Sequence, residues 1–172
     1  MRKMICFFLL MVMLHVAPAF ALENLSTYMT NPKPVGSGRM SVLMMDVYDA
    51  TLFAPEGKWK QDNPMALQIT YLREISGSKI ADRSVVEMRN IGIRDEIKLA
   101  TWHTQMRNIF PDVREGVSLT GILGSNGESI FLHNGREAGR IKDPEFGKAF
   151  FAIWLNEKTS APQLRQRLLG AS

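Results

Sequence analysis

The 172-residue chain contains a single cysteine, Cys6, and that residue lies in an apolar N-terminal segment. If this segment is removed from the mature protein, no thiol remains. A disulfide framework, a thiolate metal site and a cysteine nucleophile are then excluded together. Histidine is scarce too, because only His103 and His133 lie beyond that segment. A zinc site needs three or four ligands, so we expect no metal site and no cofactor.

The chain also lacks the common catalytic and nucleotide-binding motifs. Gly36-x-Gly38 has no third glycine and leads into a strand, and no G-x-S-x-G, P-loop or H-E-x-x-H pattern occurs. Blocks of like charge are missing as well. Arg2 and Lys3 account for two of the 21 basic residues, which leaves 19 against 17 acidic ones. This near balance argues against nucleic acid as a partner.

The N-terminal segment has the pattern of a secretory signal peptide. A basic start at Arg2 and Lys3 precedes an apolar run over 5–16, and Ala19-Phe20-Ala21 matches an A-x-A cleavage site. About 12 apolar residues are too few to span roughly 30 Å of hydrocarbon. We therefore expect a signal peptide over 1–21, cleavage after Ala21, and a periplasmic or secreted protein with no transmembrane segment. An uncleaved anchor is the alternative.

The remaining residues are enough for one domain. The polar, proline-containing stretch 22–34 predicts an irregular N-terminal arm, and 35–172 predicts the domain itself. Apolar and β-branched runs predict strands that are joined in the second half by two Asn-Gly turns, Asn126-Gly127 and Asn134-Gly135. The predicted strands cover 40–46, continuing through 47–53, then 66–73, 117–123, 129–133 and 137–141.

Helices are predicted where apolar residues recur at the helical period. They cover 79–90 and 94–110, a third opens at Asp143-Pro144, and a fourth starts at Ser160 and ends at Gly170. Together the predicted strands and helices form an α+β domain in which a mostly antiparallel sheet of about six strands is covered by four helices.

Two polar residues near the first strands are candidate ligand-binding groups. Arg39 at the mouth of a strand and Tyr48 on its buried face can together hold a carboxylate. The alternative is that Arg39 is a surface turn residue and Tyr48 an ordinary core aromatic. Asp46 and Asp49 are three residues apart, so we expect them on opposite faces of the strand. The methionines of the mature chain are expected to fill the core rather than to bind haem or copper.

Several segments in order resemble the bacterial branch of the chalcone isomerase-like family. They are Val47-Tyr48-Asp49-Ala50-Thr51-Leu52-Phe53-Ala54-Pro55, Ile109-Phe110-Pro111-Asp112-Val113, Phe131-x-x-Asn134-Gly135-x-x-x-Gly139, Phe150-Phe151-x-Ile153-Trp154-Leu155 and Leu164-Arg165-x-x-Leu168-Leu169-Gly170. The resemblance implies an open-faced β-sandwich, which is a large antiparallel sheet covered on one side by helices with a cleft between them. It also implies one of three activities found in the family: chalcone cyclisation, fatty-acid binding or haem binding.

The isomerase's site residues distinguish these activities. When its Ser-Gly-like turn is aligned on Ser76-Gly77, Ile80 falls where the catalytic tyrosine would be, Arg83 at the lysine and Glu87 at the asparagine. Isoleucine cannot donate a hydrogen bond to a developing oxyanion, so the main stabilising group is missing. The resemblance thus argues against isomerase activity and leaves other enzyme activity open. Arg39 and Tyr48 resemble the arginine and tyrosine that hold the carboxylate in the fatty-acid-binding branch.

The leading hypothesis is an exported, non-catalytic binding protein whose cleft takes an apolar or amphiphilic molecule with an anionic end, such as a fatty acid. The predicted site residues are Arg39, Tyr48, Trp102 and Met106, and the apolar wall is expected to comprise Met44, Leu52, Ile69, Trp102, Met106 and Phe150. The alternatives are an isomerase or lyase that uses Tyr48 and Arg39, an envelope interaction protein without a ligand, and a haem protein that uses His103.

Overall fold

A computed structural model describes residues 25–170 of the chain, so the predicted signal peptide over 1–21 and its cleavage site lie outside the described residues. The strands form one six-stranded sheet in sequential order, and every neighbouring pair is antiparallel. They are β1 Pro32–Val42, β2 Met45–Pro55, β3 Met65–Tyr71, β4 Ser118–Leu123, β5 Ser129–His133 and β6 Arg136–Ile141. The helices are α1 Gly77–Asn90, α2 Glu96–Ile109, α3 Pro144–Leu155 and α4 Pro162–Leu168. The predicted α+β class and the helix-covered antiparallel sheet are confirmed.

Helices cover one face of the sheet, and residues that precede β1 cover part of the other face. On one face, strand residues such as Leu52 and Phe131 pack with the helices in the larger core. On the other face, Phe53 packs in a second, smaller cluster with Leu25 and Met29, which precede β1. Successive strand residues point to opposite faces, so covering both faces explains why β2 has no cleanly polar side.

The first hairpin differs from the prediction. Instead of one extended stretch over 40–53, the chain reverses at Leu43 and Met44, and Val42 pairs with Met45 across the turn. Both turn residues have positive φ, 48° and 63°. Because leucine and methionine rarely adopt this conformation, nothing in the local sequence predicts a turn here.

The predicted N-terminal arm is also shorter than expected, because β1 begins at Pro32 and not after Pro34. Proline lacks the N–H needed in a central strand, which is why 22–34 was predicted to be irregular. β1 lies at the edge of the sheet and pairs only with β2. An edge strand tolerates proline because one side of its backbone needs no sheet partner.

Two of the four helices begin with a side-chain N-cap. The Asp95 carboxylate accepts from the Ile97 and Lys98 amides at the start of α2, and the Asp143 carboxylate accepts from the Glu145 amide at the start of α3. The start predicted for α4 at Ser160 is wrong. Its N-cap residue is Ala161, which makes no side-chain cap, and Pro162 occupies the first turn.

Two glycines allow close approaches that position the helices. A Cβ on Gly77 would lie 2.0 Å from the Phe110 carbonyl oxygen, so α1 can begin only where that side chain is missing. A Cβ on Gly36 would lie 2.0 Å from the Arg167 carbonyl oxygen, where α4 crosses β1. Within residues 25–170, every helix is too short or too polar to cross a bilayer.

Candidate functional site

A cavity of about 290 Å³ lies between the helical face of the sheet and helices α1 and α3. Its wall combines strands and helices that are far apart in sequence. The apolar lining includes Met40, Ile69, Leu119, Ile80, Phe150 and Ile153. At one side the lining continues through Val42 and Val47 of the β1–β2 hairpin. The volume falls near the lower end of the range for small-molecule sites, and the lining suits an apolar ligand.

Tyr48 provides a hydroxyl inside this apolar space. Its oxygen accepts a hydrogen bond of 2.9 Å from the indole Nε1 of Trp154, and its ring makes an edge-to-face contact with Tyr71 at 6.1 Å. The pKa of Tyr48 is raised to about 12, mainly by burial and also by the nearby Glu87 carboxylate, whereas the Trp154 bond and Arg83 lower it. Tyr48 is therefore neutral at physiological pH, and its hydroxyl hydrogen can be donated to a ligand.

Charged residues on α1 border the same cavity. Lys79, Arg83 and Glu87 follow one another at four-residue spacing, so they share a helix face with Ile80. The Arg83 guanidinium pairs with the Glu87 carboxylate. Glu87 is only 5% exposed and also accepts from the side-chain amide of Asn90. Within the described part of the chain, Lys79 has no ion-pair partner, which leaves a free ammonium group at the cavity.

The structure does not bring Arg39 and Tyr48 together. Arg39 is opposite Asp49 in the strand pairing, whereas Tyr48 is opposite Met40, so the two side chains lie on opposite faces of the sheet. The Arg39 guanidinium binds both Asp49 carboxylate oxygens, at 2.7 and 2.9 Å, on the exposed face. It lies outside the cavity lining, so it is available to no ligand held there.

The expectation that Asp46 and Asp49 point to opposite faces is also wrong. Arg39 donates to Asp46 at 2.8 Å as well as to Asp49. A register shift between Met40 and Ser41 breaks the strict alternation of this hairpin and turns Asp46 toward the same guanidinium. Hydrogen bonds from Ser41 and then from Arg39 hold the pKa of Asp46 below its usual value.

Trp102 and Met106 are core residues and do not line the cavity. The Trp102 indole donates to the Asp143 carboxylate at 2.8 Å, which ties α2 to the start of α3. Met106 is fully buried in the main core. Of the predicted apolar wall, Ile69 and Phe150 do line the cavity. Leu52 is buried elsewhere in the core, and Met44 is fully exposed at the hairpin turn.

His103 is on α2, where it contacts α1, and it does not line the cavity. Its Nε2 is 2.6 Å from a carboxylate oxygen of Asp82, and its side chain is 31% exposed. Among residues 25–170 no group of three or more His, Cys, Asp or Glu side chains is arranged to hold a metal ion. His103 is therefore not placed to bind a group that is held in the cavity.

The charged face of α1 is the part of the site that sequence reasoning missed. In the alignment with the isomerase, Ile80, Arg83 and Glu87 stand only as replacements for its catalytic groups, yet all three line the cavity. The available signal was the four-residue spacing from Lys79 to Arg83 to Glu87, which places three charges on one helix face. Without the fold, nothing in that spacing distinguishes a cavity-facing side from a solvated one.

Comparison with known proteins agrees with this architecture. A family model described as chalcone isomerase-like matches residues 34–170. The structure is similar to the crystal structure of a fatty-acid binding protein from Arabidopsis thaliana, with a TM-score of 0.63 and 12% sequence identity, over 82% of this chain and 88% of that one. At this identity the likeness concerns the fold alone. No curated protein matches the sequence.

Proposed function

Since this chain belongs to the chalcone isomerase-like family, we propose that it is an exported, non-catalytic binding protein for an apolar molecule with an anionic end, such as a fatty acid. The observation that carries the proposal is the cavity itself. It has an apolar lining, a neutral hydroxyl inside it, and two cationic side chains at its border. The Arabidopsis thaliana protein with the same fold is described as a fatty-acid binding protein, which supports the same class of ligand.

Three polar groups would together bind the anionic end of the ligand. Lys79 and Arg83 supply positive charge, and the neutral Tyr48 hydroxyl supplies a hydrogen-bond donor. A charge-assisted hydrogen bond from such donors is stronger than a neutral one, so a carboxylate is favoured over an alcohol. The hydrocarbon part would pack against Ile69 and Phe150. This assignment replaces Arg39, which is engaged by two carboxylates on the outer face.

The same residues argue against the isomerase alternative. Ile80 lines the cavity and presents only hydrocarbon, so it cannot stabilise a developing oxyanion. Tyr48 is a poor general acid or base near neutral pH, because its pKa of about 12 is far from the working pH. We expect no turnover of a chalcone by the purified protein.

The first test is extraction of the purified protein under denaturing conditions, followed by mass spectrometry of the released lipids. The second is titration with saturated fatty acids of increasing length. Each buried methylene contributes about 0.8 kcal/mol, so affinity should rise about fourfold per methylene until the cavity is full. An empty cavity in every preparation together with no binding of any chain length would refute the proposal.

Matched arginine variants locate the site. Arg83 and Arg39 are both partly exposed and both paired with carboxylates, but only Arg83 borders the cavity. Arg83→Gln and Tyr48→Phe should each weaken fatty-acid binding by roughly tenfold, as expected for loss of one hydrogen bond to a charged group. Arg39→Gln should leave binding unchanged. Equal losses in Arg39→Gln and Arg83→Gln would contradict the assignment.

A further inference from the structure

The turn of the β1–β2 hairpin exposes four consecutive apolar residues, and we call Val42–Met45 the apolar tip. The exposed fractions are 45% for Val42, 86% for Leu43, 100% for Met44 and 49% for Met45. Isolated exposed apolar side chains are ordinary on protein surfaces. Four adjacent ones at the protruding end of a hairpin form a patch, and such patches mark sites of interaction.

The backbone at the apolar tip makes these residues more unusual. Leu43 and Met44 have φ values of 48° and 63° in a two-residue loop closed by the Val42–Met45 pair. The β5–β6 hairpin has the same two-residue loop, closed by the His133–Arg136 pair, and its residues are Asn134 and Gly135 with φ values of 48° and 77°.

Asparagine and glycine suit this geometry, whereas leucine and methionine strain it. The same chain thus uses the favourable pair in one hairpin and an unfavourable apolar pair in the other. Neither Leu43 nor Met44 is buried, so folding gains nothing from their side chains. A local rule that is broken without a compensating contact is typical of a functional position.

The apolar tip is continuous with the cavity. Val42 belongs to both, because it is part of the tip and also lines the cavity beside Met40 and Val47. The guanidinium of Arg73 approaches the sulfur of Met45 at 3.9 Å, so a cation lies against the base of the tip. A hydrocarbon chain leaving the cavity at this side would meet apolar side chains rather than water.

We propose that the apolar tip inserts into the surface of a lipid bilayer and places the mouth of the cavity against it. This inference rests on the proposed function, because it supplies the route by which an apolar ligand enters and leaves the cavity. Passage between bilayer and cavity would then avoid exposing the hydrocarbon chain to water. Binding at a membrane surface scales with the apolar area that is buried there.

A lipid surface fits the apolar tip better than a protein partner does. A stable protein interface buries about 800 Å² on each side around a well-packed apolar centre. The tip instead consists of one two-residue turn and its closing pair, with Ser41 and Asp46 hydrogen-bonded to each other directly beneath it. A bilayer accepts such a small wedge because it deforms around it and needs no complementary shape.

The test uses flotation of the purified protein with phosphatidylcholine vesicles, and with vesicles that also contain phosphatidylglycerol. The variant is Leu43→Asn with Met44→Gly, which removes both apolar side chains and installs the residues that the β5–β6 turn already uses. The control is Ile97→Ser, since Ile97 is 83% exposed on α2 and does not line the cavity. We expect at least a tenfold loss of vesicle binding in the variant and no loss in the control.

Ligand uptake separates this inference from the proposed function. Binding of a fluorescent fatty acid in vesicle-free buffer should be the same in the wild type and in the Leu43→Asn, Met44→Gly variant, while transfer from vesicles should be slower in the variant. Wild-type protein that fails to float, or a variant that floats equally well, would overturn the inference and leave the cavity's function intact. Tip-dependent flotation without any fatty-acid uptake in buffer would support docking and refute the proposed function.

Discussion

The strain at the apolar tip can be measured by folding stability, independently of any ligand. In the Leu43→Asn, Met44→Gly variant the φ values of 48° and 63° are unchanged, but the residues now favour them. A left-handed conformation costs an ordinary residue roughly 1–2 kcal/mol, and relief at two positions gives about 2 kcal/mol. The greater freedom of glycine in the unfolded chain offsets about 0.5–1 kcal/mol of this gain.

Little else changes, because Leu43 is 86% exposed and Met44 fully exposed, so almost no burial is lost. We therefore expect the free energy of unfolding to rise by about 1 kcal/mol, which corresponds to about 2–4 °C in Tm for a chain of this size. Urea denaturation followed by circular dichroism measures the change, and the slope m should stay constant.

The opposite substitution provides the control. Asn134→Leu places leucine at φ 48° in the matching turn and removes the acceptor of the Ser118 amide. It should lower the free energy of unfolding by about 1–2 kcal/mol. If the Leu43→Asn, Met44→Gly variant is no more stable than the wild type, the tip is not strained. The inference that Leu43 and Met44 serve a role other than folding then loses this support.

Two further predictions concern the cavity. Glu87→Gln should strengthen fatty-acid binding severalfold in calorimetric titrations, because it removes a buried negative charge near the ligand and frees Arg83 from its pair; unchanged or weaker binding would place the anionic end elsewhere. The pKa of Tyr48 is raised to about 12 from an unfolded value near 10, so the stability it contributes is complete below pH about 10 and is lost between about 10 and 12. Burial also raises the pKa of Tyr71, so Tyr48→Phe should reduce the slope of this part of the stability curve without removing it. A tyrosine absorbance titration that shows every phenol ionising near pH 10 would contradict the prediction.

The second half of the fold could be predicted in detail because its turns carry explicit signals. Asn134-Gly135 has the backbone that its sequence predicts, and Asp143-Pro144 begins α3 as expected. Asn126-Gly127 does not form the predicted two-residue turn, because it lies in a longer loop over 124–128 in which Gly127 has positive φ and Asn126 does not. The first hairpin could not be predicted, because Leu43-Met44 has no turn signal and continues an apolar run. Because the turn was not predicted, the pairing of β1 with β2 was not predicted either. That pairing, with its shift after Met40, places Arg39 on the face opposite Tyr48.

The site was less predictable than the fold, for a geometric reason. Tyr48 was identified because a phenol on a buried strand face needs a partner, and its partner Trp154 is 106 residues away. Such a pair depends on how α3 packs on the sheet, which no local pattern specifies. Met106 and Trp102 have the same apolar character as Phe150, and only the packing separates core positions from cavity positions.

The close approach at Gly36 also bears on the order in which the molecule can assemble. The α4 backbone rests directly on β1 there, and the Gly170 region lies against the Val35 carbonyl oxygen. Among the packed elements described above, β1 and α4 are the pair furthest apart in sequence. The ribosome therefore synthesises β1 long before α4. The part of the β1 face that α4 covers therefore stays open to solvent until α4 has been made. Leu164 and Leu168 of α4, both buried in the larger core, are thus among the last apolar side chains to reach their packing partners.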